Sequence, residues 1–389
     1  MIMCILLLLC ACKKEERGQY PIDSKAPAKV SSARVAENLP GGAVIVFDIP
    51  QEDDALYVVA RYTLDDGTPM EIKASVYTGG SLTIEGIGRS RELPVELRAV
   101  DRSRNESEPI TVSAHPLDSP IHEIAASMEI KDAFGGISLK WENPTQLPVV
   151  IDVFSPDTED NDNMAQVERF YSSAQEGKAN VRGQESKETV FAVNLHDRWG
   201  NYTDLKTGRY FPLFEERLDK DKFRRWNPPG LPYIGAGEAQ WQIERLWNDI
   251  IGQAEGLATY TAPYCCFDMG QTAKLSRFKI HNRAETNLCY NLGHPRRFEL
   301  WGSDHPNVTN DLSLWQFLGY YESVKPSGLP SGQVSSEDIQ YSAIDGEEYD
   351  FEDSPYVRYI YFRALETWGL ANQIQFCELT FWGEVQKEF

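Results

Sequence analysis

Gly135-Gly136-Ile137-Ser138-Leu139-Lys140-Trp141-Glu142-Asn143-Pro144 has a partner 94 residues earlier in Gly41-Gly42-Ala43-Val44-Ile45-Val46-Phe47-Asp48-Ile49-Pro50, with glycines, large aromatic and proline in step. A second pair of segments, Asp101-Arg102-Ser103-Arg104-Asn105-Glu106-Ser107 and Asp197-Arg198-Trp199-Gly200-Asn201-Tyr202-Thr203, keeps step at an offset of 96. Two matches at nearly one spacing define a tandem repeat of about 95 residues. In the later copy Ile137, Leu139 and Trp141 alternate with Ser138 and Lys140, the period of a half-buried strand with one wet face. The Asp-Arg-x-x-Asn-x-Ser/Thr segments follow extended runs (95–100 and 190–195) and are rich in residues that close turns through local side-chain hydrogen bonds.

Outward from the repeat, composition supports the same class. An 11% aromatic share, 22 prolines and many short alternating runs suit β-sheets, and long amphipathic helices are scarce. At 389 residues the chain requires two to four domains. Its formal charge of -21, from 59 acidic and 38 basic residues, repels a phosphate backbone, and no Lys/Arg cluster offsets that field, so nucleic acid is excluded as a partner. An early Gly-Gly strand with a core aromatic and a late polar-turn hairpin resembles the fibronectin type III sandwich, over residues 26–115 and 118–215.

Residues 2–11 form an apolar run about half as long as a membrane span, the core of a secretion signal rather than part of the fold. No Lys or Arg precedes it, a departure from the usual positively charged start. The run ends Leu9-Cys10-Ala11-Cys12, which resembles the lipobox of bacterial lipoproteins, and implies lipidation at Cys12. Lys13 to Arg17 is similar to the export signal of surface lipoproteins in Bacteroidota. The resemblance implies a signal peptide over 1–11, a tether over 12–25, and a protein anchored by lipid in the bacterial outer membrane and exposed at the cell surface.

Asp219 to Arg225 is dense in charge and Trp226-Asn227-Pro228-Pro229-Gly230-Leu231-Pro232 is conformationally restricted, so a linker is expected over 216–234. Short aromatic-rich runs separated by polar loops follow to residue 385, the pattern of a sandwich or jelly roll. Four ordered pieces carry a resemblance to discoidin (factor 5/8 type C) domains: Phe267-Asp268-Met269-Gly270 with the strand to Ile280, Phe298 to Asp304, Val357-Arg358-Tyr359-Ile360-Tyr361-Phe362, and Glu378 to Gly383. The fold class expected is therefore all-β: two tandem immunoglobulin-like, fibronectin III-like sandwiches, then a galactose-binding-like jelly roll over 235–385.

Bacterial members of that family are often carbohydrate-binding modules. The order of lipobox, two fibronectin-like domains and discoidin-like module is similar to surface lipoproteins of polysaccharide utilisation, which implies a polysaccharide or oligosaccharide ligand and an outer-membrane glycan transporter complex as partner. Sugar recognition requires an aromatic face and directional polar groups. The loop His281 to His294 carries Arg283 and Asn291 at the family's polar positions, with Tyr290 and His281 as further candidates, and Trp368 lies where the family presents an aromatic platform. The family also implies a structural Ca2+, with Asp249 and Glu378 as the matching ligands, although its usual Asp-Gly pair is missing. The alternative is a structural or protein-interaction lipoprotein without a sugar site.

Cys265, Cys266, Cys289 and Cys377 allow a bridge from one of the neighbouring pair to Cys289 or Cys377, or four buried thiols. The sequence holds no G-x-S-x-G elbow, HExxH or Gly-rich phosphate loop, and only six scattered histidines. A non-enzymatic protein is the expectation.

Overall fold

The computed structural model describes residues 24–51, 55–156, 163–352 and 355–387. The expected signal, most of the tether and the lipidation residue Cys12 lie outside them. The chain falls into two compact units, one drawn from Met1–Lys131, Ser138–Val181 and Glu188–Tyr210, the other from Asp132–Ile137, Arg182–Lys187 and Phe211–Phe389.

The repeat seen in the sequence is a repeat of topology. In the first copy β1 (Ala33–Leu39), β2 (Gly42–Phe47) and β5 (Ser81–Glu85) make one sheet, and β4 (Pro69–Ser75), β3 (Ala55–Thr63), β6 (Leu93–Asp101) and β7 (Ile110–Ala114) the other. In the second copy β8 (Glu129–Ala133), β9 (Gly136–Glu142) and β12 (Glu176–Val181) answer the first sheet. There β11 (Met164–Ser172), β10 (Val149–Pro156), β13 (Thr189–His196) and β14 (Lys206–Tyr210) answer the second. A short helix, α1 (Ile121–Ser127), precedes β8.

Alternation decides what each strand buries. Ile137, Leu139 and Trp141 are buried on β9 and Lys140 is exposed; on β2 Ala43, Ile45 and Phe47 are buried. The polar turns match atom for atom. Asp101 Oδ2 accepts from Asn105 Nδ2 at 2.9 Å and Asp197 Oδ2 from Asn201 Nδ2 at 2.9 Å. Likewise Ser107 Oγ accepts the amide of Ala99 at 3.0 Å, and Thr203 Oγ1 that of Leu195 at 2.9 Å. Each turn thus supplies acceptors to amides that the strand ladder leaves unpaired.

The C-terminal part is also β: β15 (Glu216–Arg217), β16 (Arg224–Arg225), β17 (Leu257–Ala258), β18 (Tyr264–His281), β19 (Pro295–Ser303), β20 (Gln316–Glu322), β21 (Glu347–Asp350), β22 (Tyr356–Thr367), β23 (Gln375–Phe376) and β24 (Glu378–Val385). The long β18 does the folding over. Its first part pairs with β22 and its second with β24 and β21, the register breaking between Asp268 and Ala273. Gly270 sits in that break with φ +68, where an added Cβ would stand 2.2 Å from the carbonyl oxygen of Lys222. Only glycine suits both the left-handed backbone and the close approach. Phe267, Phe278, Phe298, Phe362, Phe376 and Phe381 fill the core. The all-β class expected from the sequence is what the chain adopts.

Candidate functional site

The loop from His281 to His294 connects β18 to β19, and most of it is spent on the protein itself. Beneath it lies Glu347, a carboxylate 2% exposed. Ser342 Oγ donates to its Oε1 at 2.6 Å, Asn282 Nδ2 at 3.2 Å, and His294 Nε2 lies 3.2 Å away; Tyr349 OH donates to its Oε2 at 2.7 Å. Burial pushes the Glu347 carboxyl up, but the His294 contact and the hydroxyl donors outweigh it and hold the group below the usual carboxylate range. The amide of Tyr290 donates to His294 Nδ1 at 3.1 Å, which fixes the tautomer with its proton on Nε2, facing Glu347. Both imidazole nitrogens are engaged, so this buried His-Glu pair has no free basic nitrogen for general-base chemistry.

The expected sugar ligands divide accordingly. Tyr290 is fully buried and His281 is 5% exposed with Nδ1 against the carbonyl of Ala343, so neither presents a face to a glycan. Their aromatic and polar character serves packing, since Tyr290 stacks on His294 at 4.7 Å. Arg283 is committed too: its guanidinium lies 4.7 Å over Trp241 and forks onto Glu285. Asn291 is half-buried and caps its own loop, donating to the carbonyl of Asn287 at 3.0 Å and accepting from Leu292 at 2.8 Å.

Trp368 is the half-buried aromatic member of the set, and it stands in a polar setting. Its amide donates to His294 O at 2.9 Å and that of Gly369 to Leu292 O at 3.0 Å, so the loop after β22 is laced to the Asn291 end of the earlier loop. The half-buried indole donates to Ser323 Oγ at 3.1 Å and meets Tyr290 edge-on at 5.1 Å. The Arg296 guanidinium lies 4.8 Å from the ring and Lys325 Nζ 5.1 Å. Lys325 is saturated by the carbonyls of Leu329, Pro330 and Gln333, whereas Arg296 holds Glu366 at 2.8 Å and its Nε has no acceptor among the described residues. Arg296 was missed in the sequence; the Arg296-Arg297 pair opening β19 beside the loop is the signal that marks it. Arg283 and Trp368 thus belong to separate clusters, while Asn291, Arg296 and Trp368 share one end of the fold.

Asp249 and Glu378 do come together, but not around a divalent ion. Lys220 Nζ lies between them, 2.8 Å from Asp249 Oδ1 and paired with Glu378 Oε1, and Arg217 takes Asp249 Oδ2. Among the described residues no group of three or more His, Cys, Asp or Glu side chains is arranged to hold a metal. Ca2+ requires about 6–8 oxygens, and an ammonium already fills the gap, so the expected Ca2+ does not fit here. The four described cysteines are buried free thiols, which settles the alternatives left open in favour of no bridge.

A β-sandwich pair and a C-terminal jelly roll with a tryptophan-bearing loop end define the class of this protein. Family models match in three consecutive stretches, each described as a domain of unknown function: DUF4959 over residues 27–116, DUF5126 over 117–221 and DUF5000 over 241–383. Among curated proteins none matches. Similar solved structures include the SusE-like protein BT2857, 29% identical, covering 68% of this chain and 98% of that one at a TM-score of 0.44. A two-domain fibronectin type III segment of chicken tenascin is 14% identical over 47% of this chain and 99% of its own, TM-score 0.22. CBM32-1 from a family 31 glycoside hydrolase of Clostridium perfringens is 11% identical over 42% of this chain and 96% of its own, TM-score 0.27.

Proposed function

We propose that this is a non-catalytic, lipid-anchored surface protein that binds carbohydrate through the loop end of its C-terminal jelly roll. The observation that carries the reading is Trp368, a half-buried indole beside the Arg296 guanidinium at 4.8 Å and laced to the Asn291 end of the 281–294 loop. An aromatic face receives the C-H side of a pyranose, and guanidinium and amide groups bond its hydroxyls. The order of lipobox-like segment, two sandwiches and discoidin-like motifs supports a place in outer-membrane glycan uptake beside a transporter.

A second reading, docking of a protein partner, is favoured by Phe317 (52% exposed) and Tyr320 (50%) on the edge strand β20. The experiment that separates the two is a glycan-array screen of the whole protein against its Trp368→Ala and Phe317→Ala variants. The glycan reading expects binding that the first substitution removes and the second spares; no bound glycan on any spot favours the second reading.

A further inference from the structure

We infer that the ammonium of Lys220 is a built-in substitute for a divalent cation, so that the C-terminal jelly roll is closed by a residue of its own entering segment and is indifferent to Ca2+. Two carboxylates converge at this point, and Glu378 is 1% exposed. Burying one anion beside another is unfavourable unless a cation joins them. Lys220, itself 6% exposed, supplies that charge: it donates to Asp249 Oδ1 at 2.8 Å and to Glu378 Oε1.

Several features make the lysine part of the build rather than a passing contact. It opens the 3-10 turn Lys220–Lys222, whose start is fixed by the Asp219 side chain accepting the amide of Asp221 at 3.1 Å. The next residue after that turn, Phe223, is a core residue packed 6.0 Å from Phe267. The backbone therefore has little freedom to withdraw Lys220. Asp249, with φ +62, lies on the loop after Trp247, and Glu378 opens β24, so one ammonium ties three segments that are far apart in sequence. Arg217 on the other oxygen of Asp249 completes a cluster of two cations and two anions with no net charge.

A divalent ion entering this cluster would have to displace Lys220, leaving a buried ammonium unpaired, or share the space and add two positive charges to a balanced site. Either is costly at the buried Lys220–Glu378 end of the cluster, while Asp249 and Arg217 face solvent. Glu378 Oε2 has no donor among the described residues, so withdrawal of Lys220 would leave that carboxylate without its cation.

The test uses the whole protein and measures its melting temperature in millimolar Ca2+ and in EDTA, together with Tb3+ luminescence excited through tryptophan, for the wild type, Lys220→Gln, Lys220→Arg and Asp249→Asn. Lys220 as the cation predicts an unchanged wild-type melting temperature in both solutions and no sensitised Tb3+ signal. It also predicts a melting temperature lowered by several degrees in Lys220→Gln and largely restored in Lys220→Arg. A wild-type melting temperature that rises with Ca2+ and no longer rises in Asp249→Asn would overturn the inference, and so would a Lys220→Gln protein that melts like the wild type. Should Lys220→Gln not fold, the wild-type Ca2+ and Tb3+ measurements still decide between the two.

Discussion

Arg358 meets Asp268 as a fork, Nε to Oδ1 at 2.7 Å and Nη2 to Oδ2 at 2.9 Å, and Asp268 Oδ1 also accepts the amide of Gly270 at 2.7 Å. One carboxylate thereby joins β22 to the break in β18 where the chain passes from one sheet partner to another. Bidentate pairs of this kind fix geometry as well as contributing energy. Asp268→Ala is expected to lower stability by about 1–3 kcal/mol in urea denaturation, because it removes the acceptor of a backbone amide together with the fork. Gly270→Ala should cost at least as much, since its Cβ meets the carbonyl of Lys222 and its φ is positive.

Trp141 lies flat against Gly177, where an added Cβ would stand 2.0 Å from the indole. The ring is 5% exposed, so room for the added Cβ requires the indole to shift against its packed neighbours. Gly177→Ala should therefore destabilise the protein by about 1–3 kcal/mol through overpacking. Differential scanning calorimetry of that variant checks it; an unchanged transition would show that the ring has room to shift.

Glu347 predicts a direction for pH. Its carboxyl is held below the ordinary value of 4.5 in the folded chain, so it binds fewer protons there than in the unfolded chain. The stabilisation is fully present above about pH 4.5 and is lost as pH falls through the depressed folded value. Glu347→Gln should be less stable than wild type at neutral pH, and the gap should narrow in acid. A gap that stays constant from pH 7 to about pH 3 in denaturant titrations would contradict this reading.

The thiols give a chemical check. Burial pushes Cys289 and Cys377 up to about 12, well above the pH at which alkylating reagents are used. Native protein at pH 8 should leave both unlabelled by iodoacetamide, and a reductant should not move the melting transition. Mass spectrometry after labelling in denaturant should then find all the described cysteines modified.

What could be read from the sequence was local or periodic. The repeat, the alternation on β9 and the Asp-Asn-Ser/Thr turns depend on residues a few positions apart, so the string of letters contains them. Lys220 and Glu378 are separated by 158 positions, and nothing near either residue says that an ammonium will replace an ion between them. Trp141 against Gly177 is hidden for the same reason. Within the loop 281–294, residue type marked out both Tyr290 and Asn291, but only the packing shows that the tyrosine seals the space beside Glu347 and the asparagine caps its own turn. Arg283, in the same loop as Asn291, stacks on Trp241, whereas Arg296, one strand start away, lies beside Trp368.

The most direct measurement is retention of the whole protein on immobilised polysaccharides, wild type beside Trp368→Ala, with the melting temperature of each recorded. A carbohydrate site at the loop end predicts that wild type is retarded on at least one polysaccharide and that the variant elutes freely while still unfolding cooperatively. A folded variant retarded as strongly as wild type, or a wild type that no polysaccharide retards, would contradict it.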